Sequence, residues 1–504
     1  MRGLYLNISK IERIYKVLTR LNIPYKKIEF PKELPDDGII IYNPQEWEEY
    51  PCYYEKTEDF FIAIYGWFIY KNQKNCIKKF AEDFIRNHSE ILDDIEGGIF
   101  IIYIHYKNQS YIINDLLSLS MHFFDDSKEE FIIAPSPYFF ENKQKDELLT
   151  NILLKQNHLF GNYTIYKNIK RLEPGSIYFN SPNEFNKYYT IKSNKFDNVK
   201  LCEDIKRFSS FWDKKNKIIP MSGGLDSRLI FGCSDIDIGY SYGPPKCKDR
   251  IIANKFKNYF NILYGFSLLN INLYKEEKYE VSNLFEGIES NPLSGLLFAF
   301  RHIHNKFPEN FADFDGFLGD VFQKGIYITF PGLKGNFYKT FPFLFYNKIS
   351  EDKILHILKK RYKDLNNYEL TMLLSDFHEK TDSLNINYLK KLTYYELYYG
   401  RGTRFIINGG IVMKSQFFTV APAFCYRPIL ENLFSLNLVD SLRHKNIKKI
   451  WSIVNKNIST IRTDSLYNPL MNPIIGRSLK LLSKITDKTI PRKKGFRFEL
   501  KNID

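Results

Sequence analysis

The residues of this chain best suited to chemistry form the run MSGGLDS at positions 221–227. It follows an apolar stretch, KIIP at 217–220, and runs into the helix-forming RLIFG. Ser222, Gly223 and Gly224 let the backbone turn sharply, and the two glycines let it approach a phosphate closely. The amides there, with the N-terminus of the following helix, form an anion cradle. Asp226 faces the same space. A carboxylate beside a polyphosphate makes chemical sense where both hold Mg²⁺, which binds through one or two carboxylates plus phosphates. Ser227 adds a hydroxyl at the helix start. The Walker pattern GxxxxGK[ST] is absent, so the loop is of a different kind.

The elements that must position this loop divide the chain in two. The first 190 residues read as strand-rich: Gly38–Tyr42, Phe60–Tyr70, 97–106, 110–113 and 130–134 are short β-branched or aromatic runs bounded by turn residues. Helices are expected at 9–21, where Ser9 and Glu12 have capping-box spacing, and at 76–88. Beyond a boundary near 190–200 the pattern changes. Strands are expected at 217–221, 237–243 and 313–318, and helices at 201–212, 248–260, 375–396 and 429–442. That alternation predicts an α/β fold with a parallel sheet covered by helices.

The chain's 504 residues, with Lys and Arg totalling 72 against 58 Asp and Glu, give a formal net charge of +14. No block of five or six like charges occurs, so the excess reads as Lys-rich composition spread over the surface. A basic Pro-Arg-Lys-Lys stretch stands at 491–494. No run reaches the roughly 18–20 apolar residues of a membrane span, and the N-terminus does not read as a signal peptide. A cytoplasmic protein is expected. The six cysteines form no CxxC pair and read as ordinary reduced thiols. His302 and His304 stand two apart, which does not place them on one helix face.

The loop at 221–227 resembles the signature of the ATP pyrophosphatase superfamily, whose members grip the pyrophosphate of ATP while a substrate oxygen attacks the α-phosphorus. Further stretches resemble its asparagine-synthetase-like branch, in order. They are GGIFIIYIHYKNQSYIINDLLSLSMHFF at 97–124 with Asp115, and TIYKNIKRLEPGSIYF at 164–179 with Leu172, Pro174 and Gly175. SYGPPKCKDRIIA at 241–253 with Asp249 and Ala253, and DGFLGDVFQKG at 315–325, follow. GRGTRFIINGG at 400–410 and AFCYRPIL at 423–430, with Arg427 and Pro428, complete the series.

The resemblance implies an N-terminal α+β amidotransferase-like sandwich domain over 1–195. After it would come a doubly wound parallel-sheet ATP pyrophosphatase domain over 196–504 with a helical C-terminal region. It implies ATP and Mg²⁺ as cofactors, with Asp226 and Asp320 as catalytic metal ligands. It places ATP on Ser222, Gly223, Gly224, Leu225, Asp226, Ser227 and Gly243. The partner it implies is a small-molecule or peptide carboxylate, with no membrane or nucleic acid; a homodimer is left open.

Two departures from that family shape the expected activity. Glutamine-dependent members expose an N-terminal cysteine, whereas Arg2 stands here and Cys52 and Cys76 are internal. The first domain is therefore expected to keep the fold without the glutaminase nucleophile. Three residues before Asp320, where asparagine synthetases have a Glu, stands Phe317, which accepts no proton. Both absences are similar to those of β-lactam synthetase and the lasso-peptide cyclases. An AMP-forming amide ligase acting on a specialised carboxylate is the expectation. Asparagine synthesis from free ammonia, RNA modification and a non-catalytic scaffold are the alternatives. Lys445, Lys448 and Lys449 are candidates for a charge-neutralising lysine, though helix-surface lysines are mostly solvated.

Overall fold

A computed structural model describes residues 1–9, 11–20, 22–267, 286, 294–307 and 311–489. The strand Phe60–Tyr70 is buried along its whole length. It pairs antiparallel with Ile95–Tyr106, and the sheet continues through Gln109–Asn114 and Ser176–Phe179 to Ser181–Lys187. Successive side chains leave a strand on opposite faces. Phe68 meets Phe80 of the helix Ile77–Asn87 on one face, with ring centroids 5.5 Å apart. Phe61 meets Phe30 on the other, at 5.1 Å. A strand covered on both faces loses the alternation of polar and apolar residues.

Phe30 follows the edge strand Lys26–Glu29 of a second antiparallel sheet. Its order is Ile169–Arg171, Phe123–Asp125, Ile133–Ala134, Gly3–Leu6, Gly38–Tyr42, Lys26–Glu29. The turn after Ile169–Arg171 carries Glu173. That buried carboxylate accepts from Tyr399 and Asn162 and pairs with Lys187 at 2.9 Å and Lys380 at 3.4 Å. It ties the strands to the later helices.

The third sheet has five strands, all parallel, in the order Ile262–Phe266, Ile238–Tyr242, Lys217–Pro220, Ala312–Asp313, Thr419–Val420. The chain enters at the middle strand, winds outward one way, then returns to the other side. Its order therefore reverses between Lys217–Pro220 and Ala312–Asp313, and ligands of open parallel sheets bind outside the strand ends at such a point. Both faces are covered. Ile219 joins the core containing Leu229 and Phe256, and Ile218 the one containing Phe300 and Phe418. Trp67 Nε1 donates to Val420 O at 3.1 Å, joining the first antiparallel sheet to the edge of the parallel one.

Several expected elements differ in extent. The helix read over 375–396 is two, Asn367–Thr381 and Tyr388–Tyr398. The one read over 429–442 divides into Arg427–Phe434 and Leu438–Leu442. At each break an asparagine side chain takes a backbone N–H, Asn387 from Lys390 at 3.1 Å and Asn437 from Val439 at 3.0 Å. Such local bonds compete with helix continuation. The strand read over 313–318 is only Ala312–Asp313, and Leu318 adopts φ 67° in the loop that follows. Ser9 donates its hydroxyl to Glu141 at 2.8 Å. Among the described residues no helix is long and apolar enough to cross a membrane. Residues 491–494 lie outside the described part.

Candidate functional site

The glycine loop leaves Lys217–Pro220 at the sheet's C-terminal edge and runs into the helix Asp226–Cys233. Leu225 is fully buried and anchors the turn, while Ser222 is exposed. Gly223 N donates to Asp249 Oδ1 at 2.8 Å, and Gly224 N to Ser222 Oγ at 3.2 Å. A phosphate placed here would compete with these two oxygens for the amides. Arg228, buried behind the loop, donates to Gly223 O at 3.1 Å and to the carbonyls of Ile461 and Arg462 at 3.0 and 3.3 Å. It straps residues 461–464 across the loop. A Cβ on Gly223 would stand 2.8 Å from that of Asp464, so the strap requires glycine there. Gly243 ends the neighbouring strand at φ 119°, and its carbonyl accepts from Arg250 and Ser267.

The second loop, 314–320, is pressed against the first. A Cβ on Gly316 would lie 2.7 Å from Ser227 N, and one on Gly319 would lie 2.7 Å from Asp226 Oδ1. The two glycines allow this approach. Asp320 stands in the first turn of the helix Gly319–Lys324. Gln323, from the same helix, donates Nε2 to Asp226 Oδ1 at 2.7 Å. Its Oε1 accepts from Trp451 Nε1 at 2.9 Å. An indole N–H only donates, so the amide of Gln323 can be oriented one way alone. Lys324 Nζ stands 3.7 Å from Asp226 Oδ2. Burial pushes Asp226 up to about 6; Lys324 opposes this and the charge of Asp320 adds to it. Burial disfavours the Lys324 ammonium, but Asp226, Asp320 and Asp464 together raise its pKa.

Beneath this loop lies a second charged group. Lys414 is buried between Asp313, at 3.1 Å, and Asp315, and Tyr240 donates to Asp313 at 2.6 Å. Burial lifts Asp313 to about 6, against Lys414 and reinforced by Asp315. Phe317 packs on Gly410, where a Cβ would collide with its ring, and lies 5.7 Å from the Lys414 ammonium. It serves packing and holds no proton. Asp320 also borders a cavity of about 580 Å³ whose walls include His158, Tyr327, Lys339, Arg361, Glu396 and Arg401.

Around the glycine loop, Asp226, Asp249, Asp320 and Asp464 face Lys324 and Arg228 as nearby cations. This surplus of hard oxygen donors repels a bare polyphosphate and fits one that arrives with Mg²⁺. Among the described residues no three His, Cys, Asp or Glu side chains converge to hold a metal alone. Phosphate and water would have to complete the shell.

Elsewhere the placements are plain. Arg2 is buried and donates to Ser415 O and, through its backbone, to Gln416 Oε1. Burial raises the Cys52 thiol and pushes Cys76 up to about 11, which leaves little thiolate at neutral pH. Lys445, Lys448 and Lys449 are exposed on the helix Lys445–Trp451. His302 meets Tyr264 OH at 2.9 Å. Sequence reasoning passed over Gln323, Lys324, Arg228 and Lys414. The spacing of Asp320 and Lys324, i and i+4, was a readable signal; the others come from distant elements. No protein-family model matches the chain, and no curated protein matches it.

Proposed function

We propose that this chain is an AMP-forming, ATP-dependent amide ligase, similar to the asparagine-synthetase-like family, acting on a carboxylate other than a generic one. One observation carries the reading. Asp226 opens a helix at the reversal point of a parallel sheet, with the loop bearing Asp320 held against it through Gly316 and Gly319. Fixed donors and charges at such a point favour a polyphosphate.

On this reading the glycine loop holds the pyrophosphate part of ATP, and Asp226 and Asp320 would hold Mg²⁺. The metal, when bound, supplies positive charge to the phosphates as the α-phosphorus is attacked. Gln323, fixed by Trp451, keeps Asp226 aimed at the site. The substrate carboxylate lies in the cavity beside Asp320, whose walls carry Arg401, Lys339 and Arg361, the last paired with Glu396 at 3.1 Å. Attack on the α-phosphorus releases pyrophosphate and leaves an acyl-adenylate, which an amine converts to an amide with loss of AMP. Preorganised charge at the developing phosphorane is the main source of acceleration.

ATP–pyrophosphate exchange tests this, with wild type and Asp226→Asn, in the presence of aspartate and then of a cell extract. Exchange that requires an added carboxylate and is lost in the variant supports the reading. Dependence on aspartate itself would favour asparagine synthesis despite Phe317. No exchange under either condition leaves a non-catalytic scaffold.

A further inference from the structure

Lys324 has a position that the ligase reading does not use. It closes the helix Gly319–Lys324, which Gly325 terminates in the left-handed region at φ 61°, its N–H bonded to Val321 O at 3.0 Å. The backbone under Lys324 is therefore fixed, and the side chain shares a helix face with Asp320. Its Nζ lies 3.7 Å from Asp226 Oδ2. That exceeds hydrogen-bond length, so the pair is held by charge and not by a directional bond. The other oxygen, Oδ1, is held by Gln323 at 2.7 Å. The two carboxylate oxygens are thus treated differently: one is clamped by a neutral amide, and the other faces a cation on a flexible stem.

This asymmetry matters once a divalent cation and polyphosphate arrive together. The metal needs an oxygen of Asp226, and Oδ2 is the one that carries no hydrogen bond to Gln323. Taking it, with Asp320 as the second ligand, leaves Asp464 as the remaining carboxylate that acts on Lys324 and sets a second positive charge beside the ammonium. The ammonium must then move, and the nearest new anions are the phosphate oxygens brought in with the metal. Lysine suits that task as a compact point charge.

We propose that Lys324 is a placeholder cation, countering the charge of Asp226 before ligand arrives and transferring to the phosphates when Mg²⁺ and nucleotide bind. The inference rests on the phosphate-binding reading above, but it makes separate demands. Lys324 must oppose metal alone and favour metal with polyphosphate.

Titration calorimetry of the full chain with MgCl2, with Mg·pyrophosphate and with Mg·ATP separates the two. For Lys324→Met the affinity for Mg·pyrophosphate and Mg·ATP is expected to fall about tenfold or more, while Mg²⁺ alone binds more tightly than to wild type. Lys324→Arg keeps the charge and is expected to retain most of the Mg·pyrophosphate affinity. Circular dichroism of each variant shows whether it is folded. Lys324 is partly exposed, and methionine conserves its stem. If wild type and Lys324→Met bind Mg·ATP equally well, the placeholder role is wrong and the phosphate site stands. If Mg²⁺ alone binds no better to Lys324→Met, the exchange from Asp226 is wrong. If wild type binds neither Mg·ATP nor Mg·pyrophosphate, the phosphate-binding reading fails, and this inference with it.

Discussion

Glu173 and Asp226 are both carboxylates withdrawn from bulk water, and their surroundings drive them in opposite directions. Burial alone would raise Glu173, but Lys187, Lys380 and the hydroxyl of Tyr399 overcome it and hold the group down to about 2. Burial raises Asp226 to about 6, and Lys324 offsets only part of it. Around Glu173, beside the antiparallel sheets, charges and hydrogen bonds balance. At the end of the parallel sheet carboxylates outnumber cations and are left facing one another. A buried charge that is fully partnered serves the fold. A surplus kept at a sheet's reversal point stores an unfavourable interaction that a bound cation would relieve, and perturbed carboxylates of this kind make a site a functional candidate.

The contrast is most open to attack by exchanging the two losses. Asp226→Asn is expected to lower ATP–pyrophosphate exchange by about 10²–10³-fold or more, with stability in denaturant unchanged or higher. Glu173→Gln is expected to lose about 1–3 kcal/mol of stability, because Lys187 and Lys380 lose the buried anion they share, although Lys380 keeps Glu379 at 3.0 Å. Its exchange rate per folded molecule should stay near wild type. A large stability loss in the first variant or a large rate loss in the second would erase the distinction between the regions.

Gly316→Ala probes the geometry that keeps the surplus together. Its Cβ would stand 2.7 Å from Ser227 N and 2.9 Å from the Asp226 carbonyl carbon, so the acidic loop must withdraw. A cost of about 1–3 kcal/mol is expected, with Mg·ATP affinity falling at least tenfold by calorimetry. An unchanged affinity would show that the loops need not touch.

The pH dependence of stability, measured without divalent metal, gives a smaller and opposite pair of signs. Asp226 moves from its ordinary value of 3.8 up to about 6. Between those values the native state holds more protons than the unfolded one, so stability rises as pH falls from 6 towards 4. Glu173 moves from 4.5 down to about 2. Its contribution is full above 4.5 and is lost as pH falls towards 2. Melting temperatures across both windows should show Asp226→Asn flattening the upper slope and Glu173→Gln the lower. Smallest of all, Lys445→Ala should change stability by less than about 0.5 kcal/mol and leave exchange intact, since Lys445 is exposed and stands 3.8 Å from Asp440.

Sequence reading went furthest where function and backbone constraint coincide. The strands Gly38–Tyr42 and Phe60–Tyr70 have the limits expected of them, because apolar runs bounded by turn residues leave few alternatives. The strand, glycine turn and helix around 217–233 follow for the same reason. The breaks at Asn387 and Asn437 were not legible, since asparagine is tolerated in helices and caps them only when its side chain finds the right amide. Strand order, and therefore the reversal point beside Asp226, is set by long-range pairing that periodicity does not encode. Lys414 shows the limit most clearly. Nothing near it in sequence is acidic, and its partners Asp313 and Asp315 come from a strand end a hundred residues earlier.

The glycine contacts at 316 and 319 bear on how such a chain can change over evolutionary time. The gap between its two acidic loops is set by the main chain of Gly316 resting on that of Asp226 and Ser227 and by Gly319 resting on the side chains of Asp226 and Phe424. Substitutions at Ile326, Tyr327, Thr329 and Phe330, which line the adjoining cavity, can reshape what enters it while the spacing of Asp226 and Asp320 persists. A single-residue insertion or deletion between 315 and 320 has no such freedom, because it shifts both glycines out of register with the helix they abut. Diversity in this lineage should therefore accumulate as substitutions around a segment of invariant length, and a library built to alter its substrate should vary residues and never loop length.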